Sequence, residues 1–415
     1  MRIEKIILEN FRNYKSLEIV PDKSRNIIVG ENAQGKTNLI EAIYMTAFAK
    51  SFRTNNAGEM VSFGANQGHI GIEIVSDNLD KKINIVIRPD GKKMIKKDGK
   101  VIKKISDLLN TIVVIMFSPD DLRIIKDSPE RRRTFINSEI SQIRPRYYEV
   151  LREYSETLRQ KNALLKGYFN VSKKTFTRAD NLVLNEALVM GKELSEKKEE
   201  PGNQLKETRN RYDNSRRFNE EMLDIYDRKL ADTAYEIIRY RKDFVEMLSA
   251  EASEIVRKIS GDREDLRVEY KTTCDFVTVP EGREILYKQI CHRREKDIYA
   301  GSATIGPHRD DLEFYINGKD AKKYGSQGQQ RTIALALKLA EIRMAKMIME
   351  ENPILLLDDV FSELDLDRQR FLVSEIDDVQ LFITSAEIND KVIRDLEGGT
   401  LFRVEDGTMT RVDKY

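Results

Sequence analysis

The sequence predicts an α/β fold with a mixed sheet, interrupted by a long and mostly helical insertion. Three observations predict it. Strand and helix patterns alternate at both ends of the chain. A glycine-rich turn, Gly30 to Thr37, lies between an apolar strand and a helical pattern. The middle of the chain carries apolar residues at steps of three and four.

Residues 1–29 read as strands: Leu17 and Ile19 alternate with polar neighbours, and Arg25 to Val29 closes as a short apolar strand. Asn38 to Phe48 reads as a helix. Ile70, Ile72 and Ile74 alternate, as do Ile83, Ile85 and Ile87. Asp90-Gly91 and Asp98-Gly99 supply hairpin turns, so residues 68–104 form an antiparallel meander. Thr111 to Phe117 is a buried strand stopped by Ser118-Pro119.

Tyr147, Leu151, Tyr154, Leu158, Asn162 and Leu165 then form one helical stripe. Tyr226, Leu230, Ala234, Ile237, Arg241, Phe244, Leu248, Ala252, Ile255 and Ile259 form a second. Two charged helices with one stripe each bury them most economically against each other, as an antiparallel pair. The second helix would be about 55 Å long, a protruding arm. Glu200-Pro201-Gly202-Asn203 is the expected turn near its tip, and residues 170–221 have the weakest periodicity. After Gly261 strand-like segments return, followed by a helix from Gln329, a strand from Ile354 and a short α/β tail. The expected organisation is a nucleotide-binding head in two parts, residues 1–140 and 261–415, with a helical lobe and arm at 141–260.

The turn Gly30-Glu31-Asn32-Ala33-Gln34-Gly35-Lys36-Thr37 matches GxxxxGK[ST] in full. Its glycines let the backbone curl so that N–H groups face phosphate. Lys36 neutralises the β- and γ-phosphates of ATP, Thr37 is placed to bind Mg²⁺, and the helix opening at Asn38 adds its positive end. Ile354 to Leu357 is an apolar strand ending in Asp358 and Asp359, and α/β sheets place ligands at such strand ends. Asp358 would hold Mg²⁺; Asp359 would orient or deprotonate the attacking water. Ser326-Gln327-Gly328-Gln329 opens a long helical pattern and reads either as an ordinary cap or as a second phosphate site. It lies about one helix upstream of the acidic strand, with Ser362-Glu363-Leu364-Asp365 downstream. That order of motifs defines the ABC-type P-loop ATPases.

Net charge is +1, but the charge is segregated. Gly91 to Lys104 holds seven lysines against one acid, and Leu122 to Arg178 nets +8. Glu351 to Asp390 nets −9. A polyanion responds to such local runs. Arg131, Arg132 and Arg133 are the first candidates for DNA phosphate contact, and the lysine hairpin with Lys96 and Lys97 the second. Either run also reads as a solvated surface. Cys274 and Cys291 are the only cysteines and His69, His292 and His308 the only histidines, which argues against a zinc site or a disulfide framework. The first residues do not read as a signal peptide and no apolar run spans a bilayer, so a cytoplasmic location and no membrane partner are expected.

The chain resembles the RecF family of bacterial recombination-repair ATPases, relatives of the SMC heads. The stretches that carry the resemblance are collinear: ILENFRNY (7–14), GENAQGKTNLIEAIY (30–44), KSFRT (50–54), FSPDDL (117–122), SPERRR (128–133), the helix at 147–166, GPHRDDL (306–312), YGSQGQQRT (324–332) and ILLLDDVFSELD (354–365). GPHRDDL and SQGQQR are words that ABC cassettes in general lack. Residues 170–221 depart from the family and read as an extension of the arm.

The resemblance implies an ATP-dependent homodimer with weak, DNA-stimulated hydrolysis. It also implies binding at gaps and single-strand/double-strand junctions, and a nucleoid-associated life in a bacterial cytoplasm. Partners of the RecO and RecR type, which help to load a RecA-type recombinase, follow from it too. Against ABC transporters, the second acid is Asp359 rather than Glu. No histidine follows Leu381-Phe382-Ile383-Thr384, only Ser385-Ala386. Ser118-Pro119-Asp120 stands roughly where a metal-sensing glutamine is expected. His308 and Arg309 read either as part of a structural turn or as neighbours of the nucleotide or dimer interface. The competing functions are a cassette serving another complex, such as a transporter, and an SMC-like DNA-tethering head. The helical insertion, the segregated charge and GPHRDDL favour repair.

Overall fold

The computed structural model describes residues 1–190, 203–274, 276, 279, 281–376, 378–386 and 399–412. The expected turn at Glu200, Pro201 and Gly202 lies outside them. The chain divides into two compact units: Met1–Tyr148, Arg241–Tyr270 and Asp311–Tyr415 form unit 1, and Glu149–Tyr240 and Lys271–Asp310 form unit 2. The cut differs from the expected one at two places. Residues 241–260, assigned to the helical lobe, pack in unit 1, and residues 271–310, assigned to the head, pack in unit 2.

Unit 1 opens with β1 (Arg2–Phe11), β2 (Tyr14–Ile19), β3 (Arg25–Val29) and α1 (Lys36–Phe48). The meander follows as β4 (Gly68–Ser76), β5 (Leu79–Ile87), β6 (Lys93–Lys97) and β7 (Lys100–Val101), then β8 (Val114–Phe117) and α2 (Pro129–Ile143). Helix α3 (Pro145–Met190) and helix α4 (Asn203–Ser260) lead into β9 (Leu266–Lys271), α5 (Gly282–His292) and α6 (Arg294–Ala300). Next come β10 (Asp311–Ile316), β11 (Lys319–Asp320), α7 (Ala321–Tyr324), α8 (Gln327–Met349) and β12 (Ile354–Asp358). The chain ends with α9 (Leu366–Glu375), β13 (Gln380–Ser385), β14 (Thr400–Glu405) and β15 (Thr408–Val412).

Three sheets form. An antiparallel one runs β2-β1-β4-β5-β6-β7, a mixed one runs β15-β14-β3-β13-β12-β8, and a small one runs β11-β10-β9. In the mixed sheet, β14, β3, β13, β12 and β8 are mutually parallel and only β15 reverses. Its central strands are buried on both faces, which is why Leu355–Leu357 and Leu381–Ile383 are continuously apolar rather than alternating. The meander strands bury alternate residues, Ile70, Ile72 and Ile74 on β4 and Ile83, Ile85 and Ile87 on β5. Helix α1 is buried nearly all round, and Leu39, Ile40 and Ile43 join one core with Ile70 and Ile85 of the first sheet and Leu356 and Phe382 of the second. That packing leaves the first turn of α1 at the sheet edge.

In unit 2, α3 and α4 run antiparallel. Glu153 meets Lys229 at 3.1 Å, and further along α3 Lys161 meets Asp227, earlier on α4, at 2.8 Å. The stripe on α3 differs from the expected one. Val150, Thr157 and Lys161 are buried, whereas Leu151, Leu158 and Asn162 are half-buried. The buried ammonium of Lys161 explains the shift: Asp227 and Asp297, both buried, hold it at 2.8 Å each, and Arg294 takes the other oxygen of Asp227 at 2.7 Å. Asp297 also accepts from the Thr304 amide and hydroxyl. Two cations thus balance two carboxylates; Lys161, Asp227 and Asp297 are buried, and Arg294 reaches the surface, where it also meets Asp224 at 3.2 Å. Strands β9, β10 and β11 follow Gly261 as expected, but α5 and α6, not foreseen, intervene between β9 and β10, with Leu286 and Ile290 buried at helical spacing. No helix among the described residues is long and apolar enough to cross a membrane.

Removing one member of a buried, paired charge set costs more than the set contributes, because the remaining charges stay buried. Lys161→Ala should therefore lower stability by about 3–5 kcal/mol in denaturant unfolding. A loss no larger than that of an exposed substitution such as Lys166→Ala would show that the cluster relaxes into solvent.

Candidate nucleotide-binding site

Strand register assembles the site. Val29 pairs with Ser385 and Asp358 pairs with Thr384, so the segments after β3, β13 and β12 leave the sheet at one edge. The turn from Gly30 follows β3 directly and hands the chain to α1. Lys36 is buried, and its ammonium donates to the carbonyls of Gly30 at 2.7 Å and Glu31 at 3.0 Å. Ala33 and Gly35 hold left-handed φ angles of 68° and 124°. Glu31, Asn32 and Ala33 are exposed, and Gln34 and Asn38 are half-buried.

Residues more than three hundred positions apart meet at Asp358. Its Oδ1 accepts from the Thr37 hydroxyl at 3.0 Å and the Thr384 hydroxyl at 2.8 Å. Burial pushes the Asp358 carboxyl above the usual range, the two hydroxyl bonds pull it back, and the neighbouring Asp359 raises it. Asp359 takes a left-handed φ of 56°, and its amide donates to Thr384 Oγ1 at 3.0 Å. Thr384, next to last in β13, thus bonds the Asp358 carboxylate and the Asp359 backbone. Phe117 pairs with Leu357, which brings Ser118 level with Asp358. Ser118 is engaged in capping: its amide and hydroxyl both donate to Asp121.

A hydroxyl and a carboxylate side by side are hard oxygen donors of the kind Mg²⁺ takes. Among the described residues, no group of three or more His, Cys, Asp or Glu holds a metal by itself. Thr37 and Asp358 therefore fit an ion that draws its remaining ligands from phosphate and water.

Other residues, which lie in the stretches that carry the resemblance but have no role assigned there, complete the edge. Glu41 on α1 is fully buried and accepts from Arg12 Nε at 2.9 Å and Nη2 at 2.7 Å, together with the Ser51 hydroxyl. Arg53 reaches Asn38 Oδ1 at 2.8 Å and Glu41 at 3.4 Å. A buried acid inside an otherwise apolar helix was the available signal for this cluster.

The signature turn is an N-cap. The Ser326 hydroxyl accepts from the Gln329 amide, and the Gln329 side chain accepts from the Ser326 amide, a complete capping box ahead of Gln327 and Gly328. Arg368 donates to the Gly328 carbonyl and to Thr332, and Arg331 pairs with Glu363 at 3.1 Å. The loop after β12 is thereby tied to α8. Ser362 donates to the Asp359 carbonyl.

The basic candidates separate. Arg132 is corrected: it is 3% exposed and forks onto Asp311 at 2.7 and 2.8 Å, with a further bond to the Asp127 carbonyl. It ties α2 to β10 and is not a DNA-facing side chain. Helical geometry explains it, since the middle residue of the triplet points inward when its neighbours do not. Arg131 is exposed and pairs loosely with Asp120 and Asp127, and Arg133 is half-buried. Lys96 and Lys97 lie on β6, half-buried, and Lys97 reaches the Asp107 carbonyl at 3.4 Å. His308 and Arg309 belong to unit 2 and bond within it: His308 meets the Tyr154 hydroxyl at 2.6 Å and Arg309 the Ala303 carbonyl at 3.3 Å.

Comparisons with known proteins place the chain in a family. The family model described as RecF/RecN/SMC N terminal domain matches residues 2–402. The DNA replication and repair protein RecF of Clostridium perfringens strain 13 is 38% identical over 407 residues, covering 98% of this chain and 99% of its own. That of Clostridioides difficile strain 630 is 36% identical over 417 residues, covering 100% and 99%. A solved structure of the recombination mediator protein RecF-ATPrS in the RecFOR pathway covers 99% of this chain and 98% of its own at 32% identity and a TM-score of 0.81. The Smc head domain with a coiled coil and joint from Pyrococcus yayanosii shares the fold alone, at 16% identity and a TM-score of 0.52. Matched along its whole length in sequence and in fold, the chain belongs to the RecF family, within the ABC-type α/β ATPases.

Proposed function

We propose that this protein is a DNA repair and recombination ATPase that binds ATP with Mg²⁺ at the edge formed by β3, β12 and β13, and dimerises on it. The observation that carries this reading is the meeting of Lys36, Thr37, Asp358 and Asp359 at one sheet edge, in a chain of the RecF family. The relatives' printed roles in replication and repair, and the ATP-related ligand of the solved relative, support it.

The chemistry follows from these side chains. Phosphate oxygens take over the Lys36 ammonium from the Gly30 and Glu31 carbonyls. Thr37 and Asp358 hold Mg²⁺, which neutralises phosphate charge. Asp359 orients or deprotonates water beyond the γ-phosphate; Thr384 binds the Asp358 carboxylate and holds the Asp359 backbone amide, which leaves the Asp359 carboxylate for water. The catalytic residues in this reading are Lys36, Asp358 and Asp359. A shorter base than the transporters' glutamate fits slow, DNA-stimulated turnover. The Ser326 turn covers the nucleotide held by a second copy. Gapped DNA and single-strand/double-strand junctions are the substrate, RecO- and RecR-type proteins are the partners, and the cytoplasm, at the nucleoid, is the location.

Asp359→Asn should keep ATP affinity and lose most turnover, because an amide takes no proton from water. Calorimetry with ATP and a phosphate-release assay separate the two effects. Wild-type turnover in this variant would place the base elsewhere.

Association tests the composite site. ATP should drive dimerisation and ADP should not, since only ATP offers a γ-phosphate to the second subunit's helix end. Ser326→Arg should bind ATP as a monomer and fail to dimerise or hydrolyse it. Sedimentation with ATP at high protein concentration decides this, and a dimer as abundant as the parent's would reduce Ser326 to a helix cap.

DNA affinity should fall steeply with salt and ignore sequence, because lysine and arginine contacts to phosphate release counterions. Arg131→Glu with Arg133→Glu should weaken binding to a gapped duplex and flatten the salt dependence. Arg132 is left in place because its loss would act through folding. Unaltered affinity in the double variant would move the DNA surface away from α2.

A further inference from the structure

The turn between β14 and β15 carries no motif, yet it stands on the apex of the phosphate loop. Strand β14 pairs in parallel with β3, and Arg403 lies opposite Val29, so both chains leave the sheet side by side. Glu405 pairs with Thr408, which leaves Asp406 and Gly407 as a two-residue hairpin loop with φ angles of 46° and 71°. Both signs are those of a type I′ turn. The amides of its two central residues point away from the hairpin, and here both have a single target. The Asp406 amide donates to Gln34 Oε1 at 2.5 Å, and the Gly407 amide donates to the Gln34 carbonyl at 3.3 Å.

That same carbonyl accepts from Asn13 Nδ2 at 2.6 Å, and Asn13 Oδ1 accepts from Asn38 Nδ2 at 2.7 Å, in the first turn of α1. The next carbonyl, of Gly35, accepts from the buried Tyr14 hydroxyl at 3.0 Å. In a trans peptide the C=O and the following N–H point in opposite directions. Drawing the Gln34 carbonyl outward therefore turns the Gly35 N–H inward, and holding the Gly35 carbonyl does the same for the Lys36 N–H. Those are amides that a phosphate loop presents to phosphate. Left-handed Ala33 and Gly35 make this backbone one that surrounding contacts must hold in place. The approach is close: a Cβ on Gly407 would stand 2.3 Å from the Asn13 carbonyl oxygen, and one on Gly30 would stand 2.4 Å from the Val404 carbonyl oxygen.

We propose that the Asp406–Gly407 turn, acting through Gln34, is a positioning device for the nucleotide site that sets the phosphate loop in its phosphate-binding shape before the ligand arrives. Gln34, Asp406 and Gly407 are positioning residues. The loop presents its amides to phosphates that ATP and ADP share, so both nucleotides feel the device, and the water-activating end of the site does not. The inference rests on the proposed nucleotide binding.

The test is titration of the full chain with fluorescent ATP and ADP analogues, with steady-state hydrolysis alongside, for the parent, Gln34→Ala, Gly407→Ala and the double variant. Each single variant should weaken ATP and ADP alike by about tenfold, the loss expected of one or two hydrogen bonds. KM should rise while kcat holds, and the double variant should be no worse than the poorer single one, since Gln34→Ala removes the acceptor of the Asp406 amide and Gly407→Ala displaces the turn that makes both bonds. Gln34→Ala leaves the hairpin intact and decides the matter if Gly407→Ala does not fold. Parent-like affinity for both nucleotides in Gln34→Ala, or a fall in kcat at constant KM, overturns the proposal. Lys36→Ala, run in parallel, keeps the two readings apart: if it binds ATP as the parent does, the phosphate-loop assignment fails and not the positioning device alone.

Discussion

The parallel pairing of β13 with β3 on one side and β12 on the other is the constraint on which the site depends. Because parallel strands advance in step, their carboxyl ends arrive together, and chemistry written into three distant segments is delivered to one edge. Asp358 shows the result. It accepts from Thr37 of α1 and Thr384 of β13, and its burial raises the cost of ionisation until those two hydroxyls offset part of it. A one-residue slip of β12 against β13 would carry Thr384 away from Asp358 and remove that bond.

Charge inside the protein is used for position. Glu41 gathers Arg12, Arg53 and Ser51 on the first helix. Arg132 joins α2 to β10 through Asp311, and Lys161 joins α3, α4 and α6 in unit 2. On α8, Lys338 lies among Asp121, Glu341 and Glu139. Burial disfavours its charge, yet the three acids hold its pKa above the ordinary lysine value. Burial pushes Glu341 well above the usual carboxylate range and Lys338 pulls it back. Such sets seldom add stability over an apolar core, but an unpaired member is costly, so they make one arrangement of helices much better than its alternatives.

These interior charges also revise what segregated charge means. The run from Leu122 to Arg178 is basic on paper, but Arg132 and Lys161 spend their charge inside. What remains for a polyanion is carried by side chains such as Arg131, whose ion pairs with Asp120 and Asp127 are long and exposed. Exposed pairs of that kind are weak and exchange readily for phosphate.

The sequence by itself determined the phosphate loop, the acidic strand, the capped signature helix, the lysine-bearing meander and the antiparallel helices. Each is a local pattern whose physics acts within a few residues: glycine where the backbone curls, apolar runs in buried strands, a capping box at a helix start. Tertiary structure alone decided that residues 241–260 and 271–310 change units, that Lys161 rather than Asn162 lies in the buried stripe, and that Arg132 faces inward. It also decided that Thr384 bonds the Asp358 carboxylate and the Asp359 backbone and that Asp406 and Gly407 rest on Gln34. Those facts depend on which surface meets a given side chain, and a side chain's partner across hundreds of residues leaves no periodic trace in the sequence.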